Sequence, residues 1–85
     1  MHEMSVATEI CRIAADALGV QAPWCTEVAV RVGHDSGLEP ANLQFCLEAL
    51  LTQPPFAGAR ATILAEAGDE LRVDYLEVDD GRSGH

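Results

Sequence analysis

The residues best suited to chemistry lie at the start of the chain, which reads Met1, His2 and Glu3. Methionine aminopeptidase removes an initiator methionine only before small residues, so the bulky His2 should leave Met1 and its free α-amine in place. That amine, the imidazole of His2 and the backbone nitrogens of His2 and Glu3 can close adjacent chelate rings around one metal ion. A planar set of nitrogen ligands suits Ni(II) or Cu(II) and does not suit Zn(II). A Met-His start also arises by chance, so these three residues alone leave both interpretations open.

The other reactive side chains give weaker signals. The cysteines are three in number, Cys11, Cys25 and Cys46, and none belongs to a C-x-x-C pair. This pattern indicates free, mostly buried thiols rather than a disulfide framework or a closed zinc site. His34 lies in a glycine-containing loop, where we expect an exposed side chain and keep a fifth or relay metal ligand as the alternative. His85 is expected to be a tail residue.

Signature motifs for binding nucleotide phosphates or dinucleotides, for serine hydrolases and for zinc proteases are absent from the sequence. Composition alone leaves open a catalytic pair of cysteine and histidine, but nothing marks a site that would stabilise a thiolate. We therefore expect that the protein is not an enzyme.

The composition restricts the class of protein and its partners. A chain of 85 residues with 48% apolar and 22% charged residues is typical of one small globular domain, and a two-domain enzyme is excluded. Fourteen acidic and five basic residues give a net charge of −9, which repels nucleic acid and anionic membranes. No apolar run reaches the roughly 18 residues of a membrane span, and the first residues do not resemble a signal peptide. We expect a cytoplasmic protein.

Two helices are predicted from apolar residues that recur at helical spacing. The first covers residues 5–18, with Ser5 as its cap and Gly19 as its stop. The second begins near Pro40, whose missing N–H would be unpaired there anyway, and ends after about three turns at residues 54–55, which are both proline.

Three strands are predicted from alternating β-branched residues, at residues 28–33, 59–66 and 71–78. The last two are separated by turn formers, which predicts that they pair as a hairpin. In the last strand the apolar alternation changes phase, which predicts a bulge near Asp74 or Tyr75. The order of elements predicts an α+β fold with two helices packed on one face of a three-stranded sheet. Residues 1–4, if extended, would add a short N-terminal strand.

Three segments, in this order, resemble the HypA/HybF family of nickel metallochaperones for the maturation of nickel–iron hydrogenase and urease. They are MHEMS, VAVRVGHDSGLEPANLQFCLEALL and ELRVDYLEV. The resemblance implies one nickel-binding domain over residues 1–85. It also implies that Met1 and His2 supply nickel ligands, and that Glu3 supplies a backbone nitrogen, with its carboxylate as a further option. Nickel(II) would be bound transiently, and the implied partners are a HypB-type GTPase and a hydrogenase large-subunit precursor.

The sequence departs from that family at one place. Family members carry a zinc module built on two C-x-x-C pairs between the last two strands, whereas residues 66–70 join those strands directly here. We therefore predict no structural zinc, and we expect residues 79–85 to form a flexible tail. Loss of the module leaves an alternative function open, a scaffold or regulatory module of a maturation complex that does not deliver metal. Such a module could pair through a sheet edge, into a homodimer or with another protein.

Overall fold

The computed structural model describes residues 2–79, and these residues form an α+β fold, as predicted. Within this range no helix is long and apolar enough to cross a membrane. The elements in chain order are α1 (Glu3–Leu18), a 3₁₀ helix (Gly19–Trp24), β1 (Cys25–Gly33), α2 (Pro40–Leu50), β2 (Arg60–Glu66) and β3 (Leu71–Val78). Of the expected tail only Asp79 falls in the described range, and its backbone N–H donates to the Trp24 carbonyl at 3.0 Å. Residues 80–85, which include His85, lie outside the described range.

The first helix begins earlier than predicted. Glu3 is its first residue and His2 is the N-cap, with no side-chain capping bond, so the prediction of Ser5 as the cap is wrong. For the same reason the extra strand considered for residues 1–4 is wrong, since Glu3 and Met4 are helical. The stop is confirmed: Gly19 has a φ of 56° and donates its N–H to the Ala15 carbonyl.

The sheet has the order β2–β1–β3, which corrects the predicted hairpin. Strand β1 pairs parallel with β2 and antiparallel with β3, so the last two strands are not neighbours. Residues 67–70 instead cross the end of β1. There the N–H of Gly33 donates to the Glu70 carbonyl at 2.7 Å, and the N–H of His34 donates to the Glu66 carbonyl at 2.8 Å. The turn formers at residues 67–69 predict that the chain reverses direction between β2 and β3. They do not show that β1 lies between these two strands.

This crossing is close, and it depends on Gly33. A Cβ atom at this position would lie 2.2 Å from the carbonyl oxygen of Gly68. The same oxygen accepts the N–H of Asp35 at 2.8 Å, which holds the start of the next loop against the crossing chain. A residue without a side chain is therefore required where the connection passes over β1.

The core lies between the two helices and the inner face of the sheet. Valine at every second position of β1 faces inward, as the alternation predicted, and none of these side chains is more than 1% exposed. Other buried side chains come from the two helices and from Leu51, which follows α2. The core includes Val28, Val30, Val32, Leu43, Leu47, Leu51, Val6, Ile10 and Ala14. This packing places the two helices side by side, with their N-termini close together.

The predicted bulge is confirmed. The pairing of β1 with β3 shifts between Ala29 and Val30, so that their partners are Tyr75 and Val73 and Asp74 is the extra residue. The carboxylate of Asp74 then accepts a hydrogen bond from the guanidinium of Arg31 at 2.8 Å. The phase change in the sequence therefore marks a real irregularity in the ladder.

The three cysteines are free thiols, as expected. Cys25 and Cys46 are buried and Cys11 is partly buried. Burial raises the pKa of the Cys11 and Cys25 thiols, because a thiolate is poorly solvated in these positions. These two cysteines are therefore more typical of packing residues than of nucleophiles.

Candidate metal centre

The start of the chain lies against the N-terminus of the second helix. The exposed His2 caps α1, and Glu3 follows it as the first helical residue. The carboxylate of Glu3 crosses to α2, where it accepts the backbone N–H of Glu39 at 2.9 Å and the side-chain amide of Asn42 at 3.0 Å. A carboxylate suits this place because a helix N-terminus presents unpaired N–H donors and partial positive charge. We call this pair of hydrogen bonds the Glu3 clamp.

The clamp favours the charged form of Glu3. The pKa of this carboxyl lies below its usual range, chiefly because of the Glu39 backbone N–H and then because of its own backbone N–H and the Asn42 amide. Donors that bond to a carboxylate stabilise it over the protonated acid. Each carboxylate oxygen of Glu3 already accepts a hydrogen bond from α2. This arrangement supports a backbone nitrogen, rather than the carboxylate, as the contribution of Glu3 to a metal site.

Backbone nitrogens at the start of α1 have no helical acceptor. The first helical hydrogen bond runs from the N–H of Val6 to the carbonyl of His2 at 3.2 Å. The N–H groups of His2 and Glu3 precede it, and helix geometry leaves such groups without a partner inside the helix. The His2 nitrogen is therefore suited to contact a ligand at the chain end, whereas the Glu3 N–H would first have to give up its bond to its own carboxylate.

The other candidate ligands of the described residues do not form a group of metal-binding side chains with His2 and Glu3. Among residues 2–79, no group of three or more His, Cys, Asp or Glu side chains is placed to hold a metal ion. His34 is exposed, as expected, and its side chain makes no hydrogen bond or ion pair within that range. Met1 and His85 fall outside the described residues. A nickel site at this end of the molecule would therefore need backbone nitrogens and the α-amine of Met1.

Two residues of the clamp were not singled out in the sequence. Glu39 is the N-cap of α2, and its own carboxylate accepts the N–H of Asn42 at 2.9 Å. The signal was present in part, because Pro40 favours the first position of a helix and a carboxylate beside a helix N-terminus is stabilising. What the sequence did not show is that Glu3 would lie close enough to bond to the same helix end.

Replacement of the clamp carboxylate should lower stability in a pH-dependent way. Because the folded pKa of Glu3 is lowered, its charge stabilises the fold above the ordinary carboxyl pKa, and this contribution is lost as pH falls through the folded value. Glu3→Gln should therefore melt at a lower temperature than the wild type at neutral pH, and the two melting temperatures should converge at acid pH, below the lowered pKa of Glu3. Asp69→Asn, in the exposed turn, is the control. A difference that stays constant across this pH range would contradict the assignment.

Together, the fold and this site define a small α+β protein in which an exposed His2 caps the first helix and the carboxylate of Glu3 bonds to the start of the second. A family model described as "Hydrogenase/urease nickel incorporation, metallochaperone, hypA" matches residues 1–70. The chain belongs to the HypA family.

Relatives of known name agree with this assignment. The chain is 37% identical over 65 residues to the hydrogenase maturation factor HypA of Desulfosudis oleivorans, a match that covers 74% of this chain and 56% of that protein. It is 36% identical over 69 residues to the hydrogenase maturation factor HypA of Methanopyrus kandleri, covering 80% of this chain and 49% of that protein. The chain therefore spans about half the length of the curated relatives it matches.

A solved structure supports the fold. The solution structure of the Ni metallochaperone HypA from Helicobacter pylori superposes with a TM-score of 0.66, over 95% of this chain and 89% of that chain. The identity between the two sequences is 15%, so this likeness concerns the fold alone. It confirms the predicted architecture of two helices on a three-stranded sheet.

Proposed function

We propose that this chain is a nickel metallochaperone that binds Ni(II) at its N-terminus and helps to insert it during the maturation of a nickel–iron hydrogenase or a urease. The family model and the named relatives support this function. The observation that carries the proposal is the Glu3 clamp, which fixes the first turn of α1 while His2 stays exposed.

The proposed ligands are the α-amine of Met1, the imidazole of His2 and the backbone nitrogens of His2 and Glu3. Four nitrogens in adjacent chelate rings give the planar geometry that Ni(II) accepts well. The clamp would hold the Glu3 end of this set at the start of α1. Nickel is the cargo of this site and not a resident cofactor.

A site at a chain end suits a protein that must also give up its metal. The ligands can leave one at a time, beginning with the amine, so that an acceptor site can replace them in steps. The binding and transfer of a cation break no covalent bond other than N–H bonds, so no catalytic activity is proposed.

The same proposal includes the partners of the protein and its location. The partners would be a HypB-type GTPase and a hydrogenase large-subunit precursor, and the location would be the cytoplasm. Residues 66–70 would replace the zinc module of longer family members, so no structural zinc is expected. The alternative is a scaffold or regulatory module of a maturation complex, which would retain the fold without taking up nickel.

A nickel titration of untagged protein at several pH values tests this function. We expect one Ni(II) per chain, with the visible absorption band of a planar nitrogen site. Apparent affinity should rise steeply with pH, because binding displaces protons from the amine, the imidazole and two amides. Uptake should fall steeply as the pH is lowered, because protons compete with the metal ion for these nitrogens.

Two outcomes would contradict the proposal. Uptake that does not depend on pH would point to ligands other than deprotonated nitrogens. No uptake at any pH would favour the scaffold. Elemental analysis of the same samples tests the zinc prediction separately, since bound zinc would contradict it without affecting the nickel site.

A further inference from the structure

The two edge strands of the sheet, β2 and β3, differ in whether side chains cover their outer backbone groups. At the β2 edge, α2 covers the backbone of Ala61 with two side chains. The amide of Gln44 donates to the Ala61 carbonyl at 3.0 Å, and the carboxylate of Glu48 accepts the Ala61 N–H at 3.0 Å. Side chains that bond to the outer backbone groups of an edge strand block the addition of another strand.

The β3 edge has no such cover from residues 2–79. The side-chain hydrogen bond that reaches the backbone of β3 runs from the Thr26 hydroxyl to the Glu77 carbonyl at 3.2 Å, and it comes from β1, on the other side of the strand. The first hydrogen bond of this antiparallel pair joins the Gly33 N–H to the Glu70 carbonyl. Because the bonds of an antiparallel ladder alternate, the backbone groups of Leu71 and Val73 point away from β1.

The bulge at Asp74 then shifts the alternation by one residue. After it, Tyr75 and Glu77 pair with Ala29 and Glu27, so the backbone groups of Leu76 and Val78 point outward. The side chains of the outward-pointing residues all lie on the inner, apolar face of the sheet.

An apolar groove of about 390 Å³ runs beside this free edge, between α1 and β3. Ile13 contributes to it and remains 41% exposed. The apolar lining residues are Val6, Ile10, Ile13, Leu71 and Val73. An extended strand added to β3 would place its own inner-face side chains at this groove.

We propose that β3 pairs antiparallel with β3 of a second copy of this chain, with Leu71 opposite Val78 and Arg72 opposite Glu77. The sequence of β3, LRVDYLEV, is complementary to itself in this register. Apolar inner-face residues meet apolar ones, and the two-fold axis produces the Arg72–Glu77 pair twice. Opposite charges directly across an antiparallel pair are stabilising.

The bulge is what makes this register consistent. In a regular strand, Leu71 and Val78 would lie on opposite faces, because their separation is odd. The extra residue at Asp74 brings both to the inner face and points both sets of backbone groups outward. The same register therefore matches the hydrogen-bonding edges, the apolar faces and the charges.

Charge also argues for this place of contact. Two chains of net charge −9 repel each other over most of their surfaces. The edge of β3 instead carries Arg72, whose half-exposed guanidinium lies 3.0 Å from the Glu70 carboxylate and 4.0 Å from that of Asp74. Glu77 of the second copy would supply a carboxylate across the edge.

Charge reversal followed by sedimentation or light scattering tests the register. The wild type should show twice the 9.1 kDa chain mass as its concentration rises. Arg72→Glu and Glu77→Arg should each weaken self-association by about tenfold or more, because each creates two like-charge pairs. An equimolar mixture of these two variants should form the heterodimer, and the double variant in one chain should recover self-association.

Arg60→Glu, at the start of the covered β2 edge, is the matched control and should leave the dimer unchanged. Circular dichroism and melting curves of each variant show that the fold is retained, and recovery in the mixture excludes misfolding as the cause of the loss. A wild type that stays monomeric, a dimer insensitive to both reversals, or a mixture that fails to associate would each overturn the proposal.

Discussion

Addition of one residue before Met1 is expected to weaken nickel binding at least about 100-fold. The extension converts the α-amine into an amide and so removes a ligand together with its chelate ring. Loss of a group that only orients a ligand typically costs 10–100-fold in metal affinity, so loss of a ligand itself should reach or exceed that range. His2→Ala should act similarly, because it removes the imidazole and leaves the exposed N-cap position otherwise intact.

The measurement is a nickel titration of protein made without an N-terminal tag, followed by calorimetry and by the visible absorption band. His34→Ala is the matched control, since His34 is an exposed histidine outside the clamp. It should bind nickel as the wild type does, and a loss in this variant would instead support a fifth or relay ligand. Unchanged affinity in both the extended protein and His2→Ala would refute the terminal site.

Gly33→Ala should be among the most destabilising single-methyl substitutions in this protein. The added Cβ would lie 2.2 Å from the Gly68 carbonyl oxygen and 2.9 Å from the Asp69 nitrogen, and both are backbone atoms that cannot rotate away. The crossing chain must therefore move and lose its hydrogen bonds to the end of β1. Overpacking of this kind costs about 3 kcal/mol, which lowers the melting temperature of a domain this size by more than about 10 °C.

Gly37→Ala separates this steric effect from backbone strain. Gly37 has a φ of 82°, and a Cβ there would meet no atom within 4 Å, so only the left-handed conformation is penalised, by about 1 kcal/mol. Gly33→Ala should also speed hydrogen exchange at the amides of His34 and Asp35, which bond to the crossing segment. Equal melting temperatures for the two variants would show that the crossing can relax without loss.

Much of the local structure was readable from the sequence because its causes are local. Alternating valines predicted the buried face of β1, Gly19 and Pro40 predicted a helix end and a helix start, and the phase change in β3 predicted the bulge at Asp74. Each of these signals comes from residues within one element, where side-chain periodicity or backbone freedom decides the conformation.

Pairing of the strands was not readable in the same way. The turn formers between β2 and β3 are compatible with a hairpin and with a crossing over a third strand. The choice depends on whether β1 lies in the middle of the sheet, between β2 and β3, where its valines are buried. Only the assembled core decides this. Gly33 shows the consequence, since the need for glycine there arises only when residues 67–70 pass over it.

At the candidate site, the identity of the residues came from the sequence and their arrangement came from the fold. The types and order of Met1, His2 and Glu3 made a planar nitrogen site one of two interpretations, and the resemblance to the HypA family favoured it. That the Glu3 carboxylate bonds to α2 was decided only by packing, because its partners lie 36 and 39 residues further along the chain. The local sequence determines which donor atoms are present at the chain end. Contact between the two helix ends forms only once the core has packed, and it determines which of those atoms are already hydrogen-bonded.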